Sequence, residues 1–351
     1  MNLLRPWPGV LLAAAIVSVT LGGPAARAEP GAARKLDGVN VIAVSGHPFG
    51  SGTAKLALAK ARQLGANAVA IVPFLWQGKP ASPDIVRGED MPDAELRAAI
   101  ADAHSLGLAV VVKPHVWVPG HWAGAVAMEG EPDWQAWFAN YSRGLERIAR
   151  IAEDENAEAL AIGTELEKTT QRPQWNDLIR QARSAYSGRL LYVAHNVDEA
   201  EAVPFWDRLD AIGVTLYPPL GADDDRDGRR GAMRAAAERL DALAARTGKP
   251  IVVGEIGLRS AQSAAAKPWE SAEERDSAPD PALQADVLGD WLAILDRPAI
   301  DGVLIWRWLT DPQAGGLDDT DFTVQGKPAE RVLTCAWTRR CEADQASSGS
   351  P

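Results

Sequence analysis

The chain has 351 residues, 46% of them hydrophobic, and carries 36 basic against 47 acidic side chains for a net charge of −11. That balance makes nucleic acid and anionic membrane surfaces poor partners, since both repel an acidic protein. The length buries a sizeable core, either as one large α/β barrel or as two smaller domains.

Residues 1–28 hold one early positive charge, Arg5, an apolar run from Val10 to Leu21, and the small-residue pattern Ala26-Arg27-Ala28 ahead of Glu29. This is the organisation of a signal peptide, and the apolar run is too short to span a bilayer comfortably. We therefore expect a secreted or periplasmic protein that begins at Glu29 and has no membrane contact after cleavage. It would carry 34 basic against 47 acidic residues, a net charge of −13. Cys335 and Cys341 lie close together near the end of a chain bound for an oxidising compartment, which fits a local disulfide. Residues 342–351 read as a disordered tail, leaving 29–341 as the folded domain.

Within that domain a helix, glycine, strand order recurs. The helical run Thr53 to Leu64 leads through Gly65 to a strand from Ala68 to Phe74, and the run Pro92 to Leu106 leads through Gly107 to a strand from Leu108 to Val112. Further strands are predicted at Val39 to Val44, Ala159 to Gly163, Leu190 to Ala194, Ala211 to Leu216, Ile251 to Gly254 and Gly302 to Trp306. The run from Trp134 to Ile151 places apolar residues at helical spacing, one face for laying on a sheet. Eight alternating units predict a single (β/α)8 TIM barrel. The alternative, a doubly wound open sheet, lacks its glycine-rich phosphate turn, because Ser45-Gly46-His47-Pro48-Phe49 follows the first strand. The acidic run Ala222 to Gly231 is expected to be an exposed loop, with a calcium site as the less favoured reading, and Ala261 to Pro281 a longer loop after strand seven.

Two strands end on a glutamate: Ala157 to Gly163 is followed by Thr164-Glu165, and Pro250 to Gly254 by Glu255. Parallel barrels put their chemistry at the carboxyl ends of the strands, so these two carboxylates meet at one mouth. The same rim collects His47, Trp76, Lys113, His115, Trp117, His121, Trp122, His195, Asn196, Tyr217, Arg259, Trp306 and Trp308. Flat apolar indoles with an N–H edge suit sugar rings. Of these, Lys113, His115, Trp122, Thr164, Asn196, Tyr217, Arg259 and Trp306 are the expected substrate contacts. His115 and His121 lack a third ligand, so neither metal nor cofactor is expected. Paired carboxylates flanking an acetal carbon hydrolyse glycosides, one protonating the leaving oxygen and the other attacking or activating water. A catalytically silent carbohydrate-binding barrel is the other class this rim fits.

The segments Lys113-Pro114-His115-Val116, Ile162-Gly163-Thr164-Glu165, Phe205-Trp206-Asp207, Tyr217-Pro218-Pro219-Leu220, Gly254-Glu255-Ile256-Gly257-Leu258-Arg259-Ser260 and Gly326-Lys327-Pro328-Ala329-Glu330 together resemble glycoside hydrolase family 113. The resemblance implies a retaining (β/α)8 glycosidase with Glu165 as acid/base and Glu255 as nucleophile, Tyr217 orienting Glu255, and a neutral β-1,4-mannan or manno-oligosaccharide as substrate. Thr164 stands where many members of the wider clan have Asn, and Leu258 where the family motif has Tyr. Another β-hexoside or an amino-sugar polymer therefore stays open as the substrate.

Overall fold

A computed structural model describes residues 35–88 and 91–341; the expected signal peptide and tail lie outside the described residues. Eight parallel strands close into a barrel. They are β1 (Leu36–Ile42), β2 (Ala68–Ile71), β3 (Ala109–Val112), β4 (Ala159–Thr164), β5 (Arg189–His195), β6 (Ala211–Leu216), β7 (Ile251–Ile256) and β8 (Ile300–Leu309). Pairing of β1 with β8 closes the ring. Each strand is followed by a helix: α1 (Gly52–Gln63), α2 (Asp93–Ser105), α3 (Glu131–Asp154), α4 (Trp175–Ala185), α5 (Asn196–Ala202), α6 (Arg226–Thr247), α7 (Pro281–Ile294) and α8 (Ala329–Thr338).

The strands read as nearly unbroken apolar runs because both faces are covered. Alternation sorts them into two layers. Val111, Ala159, Ala161, Val193 and Val252 belong to a compact inner layer of mostly small side chains, whereas Val110, Val112, Leu160, Ile162 and Val253 join the larger layer between strands and helices. The stripe on α3 does what its spacing predicts, with Trp137, Tyr141, Leu145 and Ile148 fully covered. Side-chain caps fix several helix starts, Ser51 accepting from Ala54 N, Asp225 from Gly228 N and Asp280 from Leu283 N. Gly248 ends α6 at φ +68, a left-handed conformation that glycine adopts without penalty.

Two expectations need correction. The second strand ends at Ile71 rather than Phe74, because Pro73 has no N–H to continue the ladder. Pro114 breaks the third strand in the same way, and the chain emerges on both sides into a small three-stranded sheet of Phe74–Gln77, Ile85–Arg87 and His115–Trp117. The acidic run 222–231 is not all loop: α6 begins at Arg226, Asp225 is its cap, and Asp223 accepts from the backbone N–H of Ser263 and Ala265. As expected, Cys335 and Cys341 form a disulfide, which ties α8 to the chain just beyond it across a sequence separation of 6.

Among the described residues no helix is long and apolar enough to cross a membrane. A cavity of about 700 Å³ sits at the amino-terminal end of the barrel between β1, β8, α7 and α8, lined by Asp37, Asp296, Arg331 and Trp337 among others. It touches neither glutamate.

Candidate active site

Both catalytic candidates sit at the tip of a strand whose register slips just before them. The β4–β5 pairing shifts between Ala161 and Thr164, and the β7–β6 pairing shifts between Val253 and Glu255. A bulge of this kind re-aims the side chain that follows it. The glycines at these places fit tightly: a Cβ on Gly254 would come within 2.9 Å of Val193 Cγ1, and the Gly254 carbonyl accepts from the Asn40 amide at 2.9 Å across the barrel interior.

Glu255 is buried and ion-paired with Lys113 through Oε1, while Oε2 accepts from the Tyr217 hydroxyl at 3.2 Å. Lys113 is itself buried, and its ammonium lies 5.3 Å from the centroid of the Trp306 ring. Removing one partner of a buried pair leaves the other charge uncompensated, a cost of about 3–5 kcal/mol, so the two side chains hold each other in place. Tyr217 is held as a neutral phenol well above its usual range by burial first and then by the charges of Glu255 and Glu165.

Glu165 has different company. Its Oε1 accepts from Thr215 Oγ1 at 2.6 Å and from His195 Nδ1 at 2.9 Å, and its Oε2 lies 3.8 Å from His115 Nε2. Burial pushes its carboxyl up, but hydrogen bonds and positive charge from His115 and His195 prevail and hold it well below the ordinary range whenever those imidazoles are charged. Burial lowers His195, but the hydrogen bond and charge of Glu165 prevail and raise it above the ordinary imidazole range. The protonation of His195 therefore governs Glu165, and the other neighbours of the imidazole bias it.

Asn196 decides it. The backbone N–H of Tyr217 donates to Asn196 Oδ1 at 2.8 Å, which fixes the amide so that Nδ2 faces His195 Nε2 at 3.0 Å. An amide N–H opposite Nε2 requires a lone pair there, so the neutral Nδ1–H tautomer of His195 fits and no imidazolium faces Glu165. Two donors occupy Oε1, which leaves Oε2 as the oxygen open to a proton. Glu165 and Asn196 both sit in the left-handed region, at φ +54 and +53, where a non-glycine residue is held against a cost of about 1–3 kcal/mol and is commonest at functional sites.

A buried network supports this from beneath. The Leu166 N–H donates to the Tyr192 hydroxyl at 2.8 Å, Tyr192 donates to Glu199 Oε1 at 2.5 Å, and the His195 N–H donates to Glu199 Oε2 at 2.5 Å. Burial lifts the Glu199 carboxyl to about 7. Thr215, Glu199 and Asn40 were not singled out by sequence: a threonine or asparagine inside an apolar strand, or a glutamate on a short helix, carries no local signal.

The remaining expected contacts divide. Lys113, His115, Asn196 and Tyr217 converge on the two glutamates, Trp306 stands beside Lys113, and exposed Trp122 packs its ring 4.8 Å from that of His195. Thr164 is buried with Oγ1 donating to the Pro114 carbonyl at 3.1 Å, so its hydroxyl is occupied by backbone. Arg259 does not reach the cleft: it is fully buried and donates to the carbonyls of Thr320, Ser271 and Arg275, tying down the loop after β7. Trp308 likewise leaves the rim, its indole donating to the Ala57 carbonyl in the packed layer, and Trp206 is buried with its indole donating to the Ala200 carbonyl. Among the described residues there is no cluster of three or more metal-ligating side chains.

A barrel whose mouth holds one carboxylate fixed by a cation and a second within a proton-sharing network is the framework of a glycoside hydrolase. The model of Glycoside Hydrolase Family 113 matches residues 42–327. This chain belongs to that family. Among solved structures, the family 113 β-mannanase AaManA from Alicyclobacillus acidocaldarius, in complex with ManMIm, is 26% identical, with 87% of this chain and 98% of that one covered and a TM-score of 0.79. A family 113 β-1,4-mannanase is 27% identical, covering 88% of this chain and all of its own, with a TM-score of 0.78. A β-glucuronidase from Ruminococcus gnavus, 14% identical over 87% of this chain and 50% of its own with a TM-score of 0.59, shares the fold alone. No curated protein matches the chain in sequence.

Proposed function

We propose that the protein is an exported β-mannanase that cleaves β-1,4-linked mannan or manno-oligosaccharides by double displacement. The observation that carries this reading is the unlike surroundings of the two glutamates. Glu255, paired with Lys113, is ready as a nucleophile; Glu165, bonded to the neutral donors Thr215 and His195, is ready as an acid. Glu255 attacks the anomeric carbon while Glu165 Oε2 passes its proton to the departing oxygen, giving a glycosyl-enzyme. Glu165, now ionised, takes a proton from the incoming water, and Glu255 leaves. The solved family 113 structures named above are mannanases, which supports the sugar; the leader-like residues 1–28 and the disulfide support export.

Following the anomeric proton by NMR during digestion of β-linked oligosaccharides tests it. A β-configured first product from mannotetraose is expected, and an α-configured one refutes double displacement. A second reading has its own observation: the Thr164 hydroxyl is bonded to Pro114 and offers no amide to a sugar 2-hydroxyl, which favours a different β-hexoside. Cleavage of gluco- or amino-sugar oligomers with mannans untouched would select it. For export, the amino terminus of protein recovered from periplasm or medium is expected at Glu29; recovery only from cytoplasm, with Met1 retained, refutes it.

A further inference from the structure

The small outer sheet carries more than His115 to the catalytic mouth. Its strands Phe74–Gln77 and His115–Trp117 pair in parallel, Phe74 opposite His115, Leu75 opposite Val116 and Trp76 opposite Trp117. Alternation sends Leu75 and Val116 into the core, where both are buried, and gathers Phe74, His115, Trp76 and Trp117 on the other face. That face has an inner row at Glu165, set by the 3.8 Å approach of His115, and an outer row made of the two tryptophans. Two residues along a strand advance about 6.6 Å, roughly one pyranosyl unit.

The outer row is built rather than incidental. The Trp76 and Trp117 ring centroids are 6.1 Å apart, and Phe74 braces Trp117 edge-on at 5.7 Å. The strand beneath is fixed by Gln77, whose Oε1 accepts from the Trp137 indole at 2.9 Å and whose Nε2 donates to the carbonyls of Lys79 and Pro80. Yet Trp76 remains 36% and Trp117 48% exposed, an aromatic pair left facing solvent beside the cleft.

We propose that Trp76 and Trp117 form a sugar-binding shelf one pyranosyl unit removed from the point of cleavage, which holds a distal ring of the same β-linked chain and makes the protein favour longer substrates. The shelf rests on the β-glycan reading above, and its occupant follows from continuity: Phe74 and His115 join it without a break to Glu165. A broad π face supported from behind suits the apolar face of a hexose.

The test compares wild type with Trp76→Ala, Trp117→Ala and the double variant on an aryl β-mannoside and on manno-oligosaccharides from the disaccharide to the hexasaccharide. Binding of uncleaved hexasaccharide is measured calorimetrically in Glu255→Gln backgrounds. The aryl glycoside should be turned over at the wild-type rate, while kcat/KM on the hexasaccharide falls about tenfold, equivalent to ~1.4 kcal/mol, chiefly through KM. Equal losses on short and long substrates would mean a packing role and overturn the shelf, as would no loss on either. If wild type cleaves another β-glycan and no mannan, the sugar assignment fails while the shelf is judged by the same chain-length comparison on that glycan. A wild type that cleaves and binds nothing in the panel overturns both.

Discussion

Replacing Asn196 with aspartate changes one atom and reverses the proton preference at the acid/base. In the native site Asn196 Nδ2 donates to His195 Nε2 at 3.0 Å and keeps that nitrogen unprotonated. An aspartate oxygen in the same place accepts instead, so His195 takes up a second proton and becomes an imidazolium 2.9 Å from Glu165 Oε1. The backbone tolerates the change, because aspartate adopts left-handed φ almost as readily as asparagine and a negative charge in the first turn of α5 is favourable. The Tyr217 N–H keeps its acceptor. A positive neighbour at this range lowers a carboxyl by about 1–3 units, and the new carboxylate beyond it returns part of that, leaving a net fall of about one unit at Glu165.

The sign follows from the role. Glu165 must be protonated to act first, so activity is lost as pH rises through its pKa, and lowering that pKa moves the alkaline limb of kcat/KM down by about one unit, or about tenfold in rate at a fixed pH on the limb. The acid limb should not move. Rate profiles against pH, with 15N NMR of the histidines to read the His195 tautomer, check both halves. An alkaline limb that stays put or moves up, in a variant with native circular dichroism, would refute the tautomer argument.

Other perturbations separate the remaining roles. Glu255→Ala should lose turnover by at least the ~10²–10⁴-fold typical of a key catalytic group and regain part of it with azide, which enters the emptied space as an external nucleophile; retained activity without azide refutes the assignment. Glu165→Ala should slow substrates with poor leaving groups far more than activated aryl glycosides, and equal losses across leaving groups would count against an acid role. Cys335→Ser opens a loop of six-residue separation worth about 2 kcal/mol in chain entropy, lowering Tm by several degrees without touching kcat, since the bridge lies at the amino-terminal end of the barrel. A loss of kcat at unchanged Tm would contradict that placement.

The barrel was legible because its signals are local and repeated: a glycine after α1, α2, α4 and α6, then a short apolar strand, and at several tips a polar residue. Glu165 and Glu255 were legible for the same reason. Pro73 also carried the information that ends β2, but the apolar Phe74 on its far side masked it. Thr215 could not be read, since its importance arises from lying across from Glu255 and against Glu165, a relation set by register between β6 and β7. Arg259 misled for the converse reason: it follows the nucleophile in sequence, but its guanidinium turns into the loop, where three carbonyls occupy it. Trp306 and Trp308 share a parity that promises one face, and the register slip between Ile305 and Trp308 against β1 separates them.

The slips before Glu165 and Glu255 bear on how such a site can be moved or lengthened. Because each extra residue is absorbed beside a glycine one or two positions ahead of the carboxylate, the catalytic pair is indexed from the rim and not from the start of the strand. The barrel wall and the reacting groups are thereby geometrically decoupled, so a residue gained or lost lower in β4 or β7 need not carry through to the chemistry. The transplantable unit is accordingly the pair of bulged tips together with Thr215, His195 and Lys113, which hold the carboxylates from other strands of the barrel.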